Sequence, residues 1–151
     1  MTETATYELR MTRHIPASPD EVFDAYTDAE KQKIWFSLLA EEPGIVEIDT
    51  DLRVGGVQHA KWGPTPDELF WEDQTFLVID PPHRLVTSST GGTPDGNTMT
   101  TQIELTFEPE GDGTLVTVLQ TGFPSEEMRD FFSTYAWVGA FDRITEYFTR
   151  R

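Results

Sequence analysis

The most constraining feature of this chain is its last stretch, Ser125 to Arg151, the one segment long and periodic enough to cover a sheet. Met128, Phe131, Phe132, Tyr135, Val138, Phe141, Ile144 and Phe148 recur there every three or four residues, the spacing of an apolar helix face. Ser125 is placed to cap it, Glu126 and Glu127 occupy its first turn, and Arg150-Arg151 close it, so both ends complement the helix dipole. At 1.5 Å per residue, these roughly 27 residues extend about 40 Å. Most of what precedes reads as β-strand, and a sheet must bury its apolar face against another layer. The prediction is an α+β chain: a curved antiparallel sheet of about six or seven strands around one long C-terminal helix. Such an arrangement leaves a cavity between helix and sheet.

The strands are read from alternation and punctuation. Thr6 to Ile15 alternates Tyr7, Leu9, Met11 and Ile15 with polar neighbours. Ser18-Pro19-Asp20-Glu21 is then a capping box with proline at the first helical position, and Thr27-Asp28-Ala29-Glu30 repeats the pattern. Two short helices follow from these signals, the second running through Trp35 and Phe36 and stopped by Pro43-Gly44. Further strands are predicted over Ile45 to Leu52, Val57 to Trp62, Phe70 to Ile79, Leu85 to Thr90, Thr98 to Phe107 and Thr114 to Thr121. A loose connection spans Gly91 to Asn97, and Glu108 to Gly113 reads as a hairpin loop. No repeat or linker interrupts the 151 residues, so one domain is expected.

Charge and composition narrow the function. Against 11 Lys and Arg stand 27 Asp and Glu, a formal net charge of −16 that repels nucleic acid phosphates and anionic lipid heads. The absence of cysteine excludes disulfide scaffolds, thiolate zinc sites, iron–sulfur clusters and cysteine nucleophiles. No signal-peptide pattern and no membrane-spanning apolar run is present, which predicts a cytoplasmic location.

Few residues carry a chemical signature. His14, His59 and His83 lie in separate elements without metal-ligand spacing. His83 belongs to an exposed turn. His59 either lies exposed on its strand or presents a polar group to the cavity. Glu47, Asp49 and Asp51 share one strand face, where solvation is a better account than calcium. Glu72 and Asp73 are adjacent and point to opposite faces, so at most one turns inward, where it could act as a general base of raised pKa. Nucleophile elbows and phosphate-cradling loops are absent; Gly55-Gly56 reads as a bend. Gly139, with Ala136 and Ala140, makes a strip of small residues on the long helix, set either against the sheet or along the cavity.

Several pieces together resemble the START-like, or helix-grip, superfamily, and within it the family named after the C-terminal domain of the heat-shock protein 90 ATPase activator. They are Ala17-Ser18-Pro19-Asp20-Glu21-Val22-Phe23 with Tyr26-Thr27-Asp28, Trp35-Phe36, Arg53-Val54-Gly55-Gly56, Asp80-Pro81-Pro82-His83-Arg84-Leu85, Gly113-Thr114, Gly122-Phe123, and Trp137 with Phe141-Asp142-Arg143-Ile144. Ala136 departs from the glycine that commonly precedes the tryptophan. The resemblance implies a helix-grip fold whose cavity takes a small hydrophobic or aromatic molecule, lined by Trp35, Phe36, His59, Trp62, Trp71, Met99, Phe123, Phe132, Tyr135 and Gly139. It implies no catalytic residue, cofactor or metal. The alternatives are a polyketide-cyclase-type enzyme using an inward acid or base, and a co-chaperone-like protein-interaction module.

Overall fold

The computed structural model describes residues 6–38 and 44–150. Strand β1 (Tyr7–Ile15) is followed by helices α1 (Pro19–Thr27) and α2 (Ala29–Phe36). Six strands come next: β2 (Ile45–Thr50), β3 (Val57–Gly63), β4 (Phe70–Asp80), β5 (Arg84–Gly92), β6 (Thr98–Glu110) and β7 (Gly113–Phe123). The chain ends in α3 (Glu126–Phe131), a π-helical turn (Phe132–Ala136) and α4 (Trp137–Thr149). The strands form one antiparallel sheet in the order β1-β7-β6-β5-β4-β3-β2, gripping the C-terminal helix: a helix-grip fold. No helix among the described residues is long and apolar enough to cross a membrane.

Local chemistry accounts for the boundaries. The Ser18 hydroxyl accepts from the Glu21 amide while the Glu21 carboxylate accepts from the Ser18 amide, the full capping box. For α2 the cap is Asp28 rather than Thr27; its carboxylate accepts from the Glu30 and Lys31 amides at 2.9 and 3.2 Å. The Thr27 hydroxyl instead donates back to the Phe23 carbonyl and closes α1. The Pro43 half of the expected helix stop lies outside the described residues. Leu52 falls beyond β2, and Gly91-Gly92 belong to β5 rather than to a loop. The β6–β7 hairpin turns at Gly111-Asp112, with Gly111 in the left-handed region at φ 57°.

The long helix is capped by Ser125 as expected, its hydroxyl accepting from the Met128 amide at 3.1 Å. It is not one regular helix, however. The hydroxyls of Ser133 and Thr134 both donate to the Asp130 carbonyl, at 3.1 and 2.7 Å, and compete with the backbone ladder there. The Trp137 amide reaches back five residues to Phe132. The extra residue in this turn breaks the three-four phase, so Phe131 and Tyr135 end 50% and 71% exposed instead of facing the sheet. Beyond it, Trp137, Phe141, Ile144 and Phe148 face inward in phase.

Candidate functional site

Register decides which side chains line the concave face. In β1 and β7 these include Leu9, Met11, Arg13, Ile15, Val116, Val118 and Gln120, under α4. The only charge there, Arg13, donates to the Asp142 carboxylate at 2.8 Å and lies over the Phe141 ring. Phe107, Val116, Val118, Phe141 and Ile144 are sealed from solvent, with Phe23 and Tyr26 of α1 packed on Phe107.

Toward the other end of the strands the inward positions become polar. Thr101, Ser89, Gln74, Gln58 and Thr50 are successive cross-strand partners, a row crossing β6, β5, β4, β3 and β2. Side-chain hydrogen bonds tie this region together. Gln120 donates to Thr101 at 2.8 Å and accepts from the Trp137 indole at 2.8 Å. Thr87 donates to Gln74 at 2.8 Å, and Gln74 donates to Glu72 at 2.9 Å. Buried polar groups are costly unless paired, so such a row is a specific construction rather than core filler.

Glu72 is the inward member of the Glu72-Asp73 pair, and it is the one charged side chain on the concave face of β2 to β6. Its carboxylate accepts from Ser89 at 2.7 Å and from Gln74 at 2.9 Å, and no described cation pairs with it. Burial raises its pKa above the ordinary carboxylate value; the Ser89 and Gln74 hydrogen bonds oppose the shift without cancelling it. Its cross-strand neighbours are Ala60 and Gly91, so little side chain stands beside the carboxyl. A Cβ on Gly91 would meet only the Trp71 carbonyl oxygen, at an ordinary 3.4 Å, so the backbone does not demand glycine there.

The expected lining residues divide accordingly. Trp62 and Phe70 face each other across β3 and β4 and stack at 6.1 Å, with Phe36 edge-on to Trp62 at 6.2 Å. Met99, opposite Gly91, and Phe132, against Phe123, are part-buried at the rim of the core. Trp35 and Phe123 are core residues; the Trp35 indole donates to the Ala25 carbonyl at 2.9 Å. Trp71 and His59 lie on the outer face, because each is one residue out of phase with the inward set. Trp71 covers Gly92, and His59 pairs with Asp73 at 2.6 Å beside exposed Glu47, Asp49 and Asp51. Tyr135 points to solvent. Gly139 meets neither sheet nor cavity: the Arg143 guanidinium folds over it, its nearest nitrogen 3.2 Å from where a Cβ would stand. The Arg143 Nε is buried there without a partner among the described residues, and desolvation lowers its pKa.

A separate open groove of about 930 Å³ runs among α1, α2, the end of α4 and the turns bearing Leu52 and Pro81-Pro82. It contains none of the ten expected residues. Of the charges that line it, Lys31 donates to Asp24 and Arg150 to Glu146. In the sequence Glu72 is legible as one of two adjacent acids of which at most one turns inward; Gln74 and the polar row around it were missed because each is unremarkable in sequence, and only their shared strand parity gave a signal.

In overall structure the chain is similar to a protein of Rhizobium leguminosarum, with TM-score 0.81, 20% identity and 97% of each chain covered. It is similar also to a Mycobacterium smegmatis protein, with TM-score 0.74, 21% identity, and 95% and 91% of the two chains covered. CalU16 of Micromonospora echinospora matches at TM-score 0.63 and 23% identity over 93% of this chain and 73% of its own. These likenesses establish the fold alone. No curated protein matches in sequence. The family model described as "Activator of Hsp90 ATPase homolog 1-like protein" matches residues 16–149, nearly the whole chain, and this protein belongs to that family.

Proposed function

We propose that the protein binds a small apolar or aromatic molecule in the cleft between the C-terminal helix and the concave face of β3 to β6. The observation that carries this reading is the half-buried Glu72 carboxyl, flanked by Ala60 and Gly91 and joined to a paired polar row beside the rings of Trp62, Phe70 and Phe36. Ligand sites combine apolar walls with a few oriented polar groups, and this end of the face has both. The membership of the family and the likeness to helix-grip structures support a binding or cyclase-like role without naming a ligand.

Titration with a neutral naphthalene alcohol, followed by tryptophan fluorescence, tests the reading. Saturable binding is expected, weakened about tenfold or more by Gly91→Val, which fills the space beside Glu72 while suiting a strand. Absence of saturable binding overturns it. A second reading rests on the inward Glu72 carboxyl, held by Ser89 and Gln74 and raised in pKa by burial: a group so placed can serve as general acid–base catalyst for a cyclase-type reaction. Turnover abolished by Glu72→Gln, with ligand affinity retained, would favour that reading.

A further inference from the structure

We propose that the ligand of this cleft is an organic cation: an ammonium group on an apolar or aromatic body, with Glu72 as counter-ion and the Trp62–Phe70 pair as aromatic wall. This rests on the cleft reading above and names its ligand class.

Three observations carry it. First, the concave face of β2 to β6 holds a single charge, and that charge is negative. No described basic group reaches Glu72: His59 and Lys61, which flank its partner Ala60, lie on the outer face, Arg13 is paired with Asp142, and Arg143 is folded over Gly139. Asp73 lies on the opposite face with His59. A half-buried carboxylate without a cation is electrostatically incomplete, and a bound cation would complete it.

Second, Glu72 is oriented. Ser89 holds one oxygen and Gln74 the other, and Gln74 is itself held by Thr87. Each carboxylate oxygen keeps a further lone pair for a donor from outside, and the positions to either side, Ala60 and Gly91, are the two smallest residue types.

Third, Phe70 is two residues from Glu72 on the same strand face, and Trp62 is its cross-strand partner, diagonal to Glu72. Aromatic side chains reach across a diagonal of this kind, and an ammonium group is attracted both to a carboxylate and to a ring face. The net charge of −16 favours approach of cations and opposes that of anions.

The test uses three probes with one naphthalene ring and different heads: naphthylmethylammonium, naphthalenemethanol and naphthoate. All are titrated at about pH 8, where a primary ammonium remains charged. The ammonium probe is expected to bind about tenfold or more tighter than the alcohol, with the carboxylate weakest. Glu72→Gln, which keeps the shape and removes the charge, is expected to abolish the preference for the ammonium head over the alcohol. Equal binding of all three heads by the wild type overturns the cation assignment and leaves the cleft reading standing. So does a preference for ammonium that survives Glu72→Gln. Binding of none of the three overturns the cleft reading itself.

Discussion

The two halves of the concave face belong to one sheet and meet at β6, and they differ in what they bury. At the end covered by α1 and α4, Phe107, Val116, Val118, Phe141 and Ile144 exclude solvent, and the one charge is matched. In the other half β3 to β6 turn Thr101, Ser89, Gln74, Gln58 and Glu72 inward, beside part-buried Trp62 and exposed Phe70. The first end contributes stability through apolar burial and close packing. At the second end the sheet orients polar groups, and the burial of Glu72 costs stability. That contrast separates scaffold from site more clearly than cavity size, since a groove of about 930 Å³ lies among the helices, away from the polar row.

The contrast is most sharply broken at Phe107. Its ring lies 5.3 Å from Phe23 and is nearly inaccessible, so Phe107→Ala is expected to destabilise by about 3–5 kcal/mol in urea denaturation. A loss below about 1 kcal/mol would mean this end is not the packed half. Gln120 sits at the junction of the two ends. Gln120→Leu leaves the Trp137 indole and the Thr101 hydroxyl without their partner, with an expected loss of about 1–3 kcal/mol in the same assay.

Glu72 should respond in the opposite direction. Its folded pKa is raised above the unfolded value, so its contribution is most favourable in acid and is lost as pH rises through the folded pKa. Glu72→Gln is therefore expected to raise the melting temperature near neutral pH by a few degrees. The gain should shrink as pH falls through the folded pKa and be gone below the unfolded value of about 4.5. A pH-independent loss would show that the carboxylate is structural. The smallest effect is expected at Gly139. Its added Cβ meets only the tip of the flexible Arg143 side chain, so Gly139→Ala should gain up to about 1 kcal/mol from helix propensity. A comparable loss in thermal melts would show that the Arg143 side chain cannot yield.

Much of the scaffold is legible residue by residue. Ser18, Glu21 and Ser125 act as their spacing predicts, and the alternation of β1 and the apolar phase of Phe141, Ile144 and Phe148 point where periodicity puts them. The site is less legible. Trp62 and Phe36 stand together as lining candidates, yet Trp71 and His59 fall on the outer face by one step of strand parity. Tyr135 is turned out by a π-helical turn, at which the hydroxyls of Ser133 and Thr134 share one carbonyl, a local irregularity that helical periodicity does not reveal.

What the sequence determined by itself is therefore local: where strands and helices begin and end, and the choice of one face of each. These follow from caps, turns and periodicity, whose interactions lie within a few residues along the chain. The tertiary structure alone decided which inward residues become neighbours. Ser89 reaches Glu72 across 17 positions and Gln120 reaches Trp137 across 17, through strand pairing and helix packing. A carboxyl acquires its environment from groups brought beside it by the fold, and no periodicity in its own strand encodes them. Glu72 and Asp73 are adjacent acids in the sequence; register made one a surface ion pair and the other the single charge on the far half of the concave face.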